Sequence, residues 1–84
     1  MNYEFEFERK ASKFIAKQPP AQQKRILSAI SELPDRGDRK RLAGTDGVYR
    51  LRVGTYRILY TVDNGKLIVR VIDAKNRGDA YKRL

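Results

Sequence analysis

The sequence contains no cysteine and no histidine. The first absence removes disulfides, thiolate nucleophiles and most zinc sites, and the second removes the commonest general base at neutral pH. Acid is also scarce: 10 Asp and Glu stand against 19 Lys and Arg, a formal charge of +9 over 84 residues. Asp46, Asp63, Asp73 and Asp79 fall at turns and ends without paired spacing, which argues against a two-metal nuclease, and neither a metal nor a cofactor is expected. No apolar run approaches the roughly 20 residues of a membrane span, and no N-terminal signal pattern is visible, so the chain reads as cytoplasmic with no membrane partner. What is present fits one domain over residues 1–84, with a modest core and a charge surplus that points to a polyanion, nucleic acid first.

Tyr3-Glu4-Phe5-Glu6-Phe7 alternates aromatic and acidic side chains with period two, the pattern of a half-buried strand. Ala11, Phe14 and Ile15 then recur at helical spacing, and Pro19-Pro20 ends that helix and starts another, with an apolar stripe of Ile26, Leu27, Ile30 and Leu33 and with Lys24 and Arg25 exposed. Pro34 ends the stripe, and residues 35–41 read as a polar connector, four of whose seven residues are basic.

Beyond the connector the period returns to two. Gly54-Thr55 fits a two-residue II′ turn, which pairs Val53 with Tyr56, Arg52 with Arg57, Leu51 with Ile58 and Arg50 with Leu59. Directly opposed like charges destabilise a sheet. Arg52 against Arg57, with Arg50 two residues along the same face, is a repulsion that a bound phosphate would relieve. Asn64-Gly65 predicts a second hairpin through a type I′ turn, pairing Asp63 with Lys66, Tyr60 with Val69 and Arg57 with Ile72. One face then collects Tyr49, Leu51, Val53, Tyr56, Ile58, Tyr60, Val62, Leu67, Val69 and Val71 as core, and the other carries Arg50, Arg52, Arg57 and Arg70. The expected fold is α+β in the order β-α-α-β-β-β: an N-terminal strand, a helical hairpin packed on one face of an antiparallel sheet, and a basic C-terminal tail.

This order, read with Tyr49-Arg50-Leu51-Arg52-Val53, Tyr56-Arg57-Ile58-Leu59-Tyr60 and Asn76-Arg77-Gly78-Asp79-Ala80-Tyr81, resembles the RelE/ParE toxin superfamily over essentially the whole chain, and its RelE branch in particular. The resemblance implies a toxin of a toxin-antitoxin pair: a ribosome-dependent, metal-independent mRNA endonuclease, held in check by a cognate antitoxin with an acidic or amphipathic segment. By position, Arg50 and Arg52 match the family's basic pair on the first hairpin strand, and Arg57 matches the arginine at the scissile phosphate. Lys75 and Arg77 match basic tail positions, and Tyr81 matches a tyrosine assigned to general base or base stacking. The chain departs from many relatives in having Asn76 where they carry His, and Arg50 or Arg52 where they carry Lys.

Metal-free cleavage needs a proton taken from the 2′-hydroxyl, charge stabilisation on the phosphorane and a departing 5′ oxygen. Arginine supplies the second, as a permanently charged planar fork. A free phenol with a pKa of about 10 is only about 0.1% ionised at pH 7, so Tyr81 as a base needs cations beside it. Lys75 is expected at a phosphate or at the leaving oxygen. Arg70, Lys82 and Arg83 are weaker candidates for RNA contact. Two other functions fit the same residues: a ParE-like toxin that poisons a topoisomerase or is otherwise non-catalytic, and a plain RNA-binding module.

Overall fold

A computed structural model describes residues 3–44 and 47–76. The alternating N-terminal segment forms β1 (Glu4–Phe7), followed by helices α1 (Arg9–Ala16) and α2 (Pro20–Ser31), and then by strands β2 (Asp38–Arg41), β3 (Tyr49–Val53), β4 (Tyr56–Asp63) and β5 (Ile68–Asn76). The strands make one sheet in the order β1-β5-β4-β3-β2. α1 lies against β5 and α2 against β3. This is the expected α+β arrangement with two differences. The sheet is mixed, because β1 runs parallel to β5, and the supposed connector supplies an edge strand, β2, antiparallel to β3.

The helices form where apolar residues recur at one-turn spacing. Ala11 and Ile15 of α1, Ile26 and Ile30 of α2, and Leu33 just beyond α2 are all buried. Pro20 opens α2 at a position where its missing N–H costs nothing. Under them lie Leu51, Val53, Tyr56, Ile58, Tyr60, Val69 and Val71, the face expected from alternation, joined by Ala74. Tyr49 and Val62 pack at its margin. Tyr49 stacks on Tyr60 with ring centroids 5.5 Å apart. Burial pushes the Tyr60 phenol above its ordinary pKa, against the pull of the Arg39 guanidinium.

The first hairpin has the expected register throughout, from Val53 opposite Tyr56 to Tyr49 opposite Tyr60. Gly54 at φ +60 supplies the left-handed first position that a II′ turn requires. The second hairpin does not. Residues 64–67 form a four-residue loop in which Leu67, at φ 55, holds the left-handed position, and the Lys66 N–H donates to Asp63 Oδ1 at 3.0 Å. Asp63 therefore pairs with Ile68 rather than Lys66, Tyr60 with Val71 rather than Val69, and Leu67 belongs to the loop, not to the sheet core. A bulge between Leu59 and Tyr60 then skips Ile72, so that Leu59 meets Asp73 and Arg57 meets Lys75.

Candidate functional site

The helices cover one face of the sheet, and the hairpin tip borders a cleft of about 550 Å³. Arg52, Arg57 and Lys75 line it together with Gly54, Thr55, Tyr56 and Asn76. The three cations form a single row across β3, β4 and β5, because Arg52 is the cross-strand partner of Arg57 and Arg57 that of Lys75. Adjacent strands lie about 4.8 Å apart, so the row spans roughly 10 Å of backbone. All three side chains are exposed, and none makes an ion pair among the described residues. Among the described residues no acid lines the cleft.

The tip that carries this row is fastened to the helices. Tyr56 is buried, donates its hydroxyl hydrogen to Gln18 Oε1 at 2.9 Å, and meets the Phe14 ring edge-on at 6.1 Å. Because these contacts lie on the core side while Arg57, one residue on, faces outward, rigidity on one face becomes fixed geometry on the other. On this anchored backbone two guanidiniums offer fork-shaped donors to an anion, and an ammonium adds a point charge beside them. The row offers hydrogen-bond donors and no side-chain acceptor. It is suited to stabilising negative charge rather than to acting as a base.

The other expected site residues are placed differently. Arg50 shares the open face, but its side chain is only 11% exposed and its guanidinium lies 3.6 Å from Asp38 of β2. Its Nε is buried without a hydrogen-bond partner among the described residues. Arg70 sits five positions before Lys75 on β5, roughly 16 Å along the strand, with its Nε 3.4 Å from Glu8. Arg77, Tyr81, Lys82 and Arg83 lie outside the described residues. Tyr49, Tyr56 and Tyr60 belong to the core or its margin, as alternation requires.

Sequence reasoning named Lys75 but opposed Arg57 with Ile72, and so missed the third member of the row. The signal was present in the spacing of Val69, Val71 and Ala74, where a step of three interrupts a step of two and marks an inserted residue. Thr55 and Asn76 of the cleft carry no such signal.

Comparison with known proteins accords with this architecture. The profile of the family described as "ParE toxin of type II toxin-antitoxin system, parDE" matches residues 8–81. Toxin RelG of Mycobacterium tuberculosis is 34% identical over 95 aligned residues, covering 99% of this chain and 100% of that protein. Among solved structures, the toxin-antitoxin complex RelBE2 of Mycobacterium tuberculosis superposes with a TM-score of 0.78 at 27% identity, over 92% of this chain and 100% of the other. The archaeal RelE-RelB complex of Pyrococcus horikoshii superposes at 0.75 and 27% identity, over 93% of this chain and 98% of the other.

Proposed function

The chain belongs to the RelE/ParE superfamily, as a toxin of a type II toxin-antitoxin system with a RelE-like fold, and from this premise we propose that it is a metal-independent endoribonuclease that cuts mRNA on the ribosome. The observation that carries the proposal is the row Arg52, Arg57 and Lys75: three cations opposed on adjacent strands and lining one cleft, in no ion pair among the described residues although Asp38 of β2 stands opposite Arg52. A phosphodiester seated there would have its non-bridging oxygens on the two guanidiniums. When the 2′-hydroxyl attacks, the charge gained by the phosphorane falls where donors already stand, and removing one such donor typically costs about 2.7–4 kcal/mol.

Arg57, in the middle of the row, carries the most. Lys75 supplies a proton-bearing ammonium beside it, suited to a phosphate oxygen or to the departing 5′ oxygen. Arg50 is directed toward Asp38 and supports the strand beside the site. Arg77 and Tyr81 complete the reading from outside the described residues, Tyr81 as base for the 2′-hydroxyl or as a stacking ring. The RelE-RelB and RelBE2 complexes support a cognate antitoxin as partner. A cationic domain suits an acidic or amphipathic segment that wraps it, and release of that segment would free the cleft. Among the described residues no helix is long and apolar enough to cross a membrane.

The match to the ParE profile favours a second reading, in which the chain poisons a topoisomerase and cuts no RNA. Brief induced expression with mapping of new mRNA 5′ ends separates the two. New ends with the native chain, lost with Arg57→Ala, are the expected result. Intact transcripts together with broken chromosomal DNA would replace the nuclease with the topoisomerase poison. If cleavage occurs, Tyr81→Phe distinguishes proton transfer, which it abolishes, from stacking, which it spares.

A further inference from the structure

From Arg9 to Ser31 the chain contains six cations and not one acid. Arg9, Lys10, Lys13, Lys17, Lys24 and Arg25 are all exposed. Only Lys10 makes an ion pair among the described residues, with Asp73 at 3.6 Å. Arg9, Lys13 and Lys17 recur every fourth residue and so form one stripe, on the side of α1 turned away from the buried Ala11 and Ile15. Like charges at that spacing destabilise a helix. Arg9 moreover occupies a first turn that holds no acid, where the helix dipole disfavours a cation. A helical face selected only for solubility alternates its signs and places acids in the first turn. This one carries like charge at each four-residue step.

We propose that this outer face of the helical hairpin is a second RNA-binding surface, which takes the phosphate backbone of a base-paired RNA while the sheet holds the strand to be cut. The inference rests on the RNA reading of the sheet face. The choice of partner follows from what the stripe lacks. Its cations run about 12 Å along a rigid axis, the exposed residues between them on that side of α1 are Ser12 and Ala16, and Leu27 of α2 is the one large apolar side chain exposed on the two helices, where a protein segment would need a cluster. Single-stranded RNA is held on exposed aromatic rings, and Phe14, the one aromatic residue of the two helices, is half-buried against the core. A base-paired backbone needs only charge and shape. On α2 the Arg25 guanidinium lies about 3 Å from the place a side chain on Gly54 would occupy, so this surface reaches the hairpin tip that borders the cleft.

The test uses the full chain and two labelled probes, an RNA duplex of about 16 base pairs and a single strand of about ten nucleotides, with binding followed by fluorescence anisotropy over a salt series. For R9Q/K13Q/K17Q we expect at least a tenfold loss of duplex affinity and a salt slope shallower by about 2.7, with single-strand affinity changed less than twofold. Glutamine keeps helix propensity and removes the repulsion, so the urea midpoint should stay level or rise. For Arg57→Ala the pattern should reverse, with the single strand weakened and the duplex spared. Unchanged duplex affinity in the triple variant would overturn the proposal, as would equal losses on both probes in both variants, which would mean bulk charge alone. Loss of an acidic peptide rather than of the duplex would overturn it in favour of a protein-docking face. Failure of the nuclease reading shows itself separately, in intact transcripts, and leaves the duplex measurement standing.

Discussion

Arg57 and Arg50 share one face of one hairpin, yet the first stands exposed in a cleft that no acid among the described residues lines, and the second is directed to Asp38 and largely covered. The difference lies in their neighbours. Arg57 is flanked across the sheet by Arg52 and Lys75, whereas Arg50 is within 3.6 Å of a carboxylate on the edge strand. At the far end of the same face Arg70 resembles Arg50, since Glu8 lies beside it. A basic sheet face is thus divided into an end without ion pairs, the proposed site, and an ion-paired remainder by where two acids fall.

Substitutions sharpen or break this division. The largest effect is expected from Arg57→Ala, which should lower mRNA cleavage by about 10²–10³-fold, or about 2.7–4 kcal/mol. Because it relieves opposed charge, it should leave the urea midpoint level or raise it, and a large fall in stability would erase the contrast with Arg50. Arg50→Ala should do the opposite. It removes a largely covered side chain and its ion pair, costs about 1–3 kcal/mol in denaturant melts, and lowers cleavage less than Arg57→Ala. Arg70→Ala, which breaks an exposed pair, should cost less than about 1 kcal/mol and leave cleavage within about twofold. Loss of activity comparable to that of Arg57→Ala would extend the proposed site across the whole face.

The smallest effect concerns the core beneath. Because burial raises the Tyr60 pKa in the folded chain, the folded state holds this proton more tightly than the unfolded state does. Its contribution is therefore fully present below the ordinary phenol value of about 10 and is lost as the pH rises through the folded value. Melts of the native chain and Tyr60→Phe should run parallel up to about pH 9 and diverge above about pH 10, the native chain losing stability faster. Parallel behaviour to higher pH would mean the phenol is not held neutral by its surroundings.

The first hairpin could be read residue by residue because one glycine at a turn position fixes its register and alternation does the rest. The second could not. Asn64-Gly65 is a strong turn signal, but the left-handed position went to Leu67, a residue whose side chain gives no hint of it. β2 escaped notice for a different reason: Asp38-Arg39-Lys40-Arg41 has no apolar alternation, since a charged edge strand gains its stability from backbone pairing with β3 and needs no buried face. Missing β2 hid Asp38 as a partner for Arg50, and an error about the edge became an error about the site. The core was legible because burial writes itself as periodicity, whereas ion pairing between distant segments leaves no local pattern.

The extra residue opposite Leu59 and Tyr60 has a consequence for the chemistry. Were the ladder regular, with Ile72 paired opposite Leu59, Ala74 would stand opposite Arg57, and the side chains of Asp73 and Lys75 would turn inward beneath the helices. One surplus amino acid therefore decides whether an ammonium group meets water and phosphate or oil. The irregularity works as a half-turn in the strand, and a change that restored unbroken pairing across Ile72 should disarm the protein while leaving every arginine in its sequence.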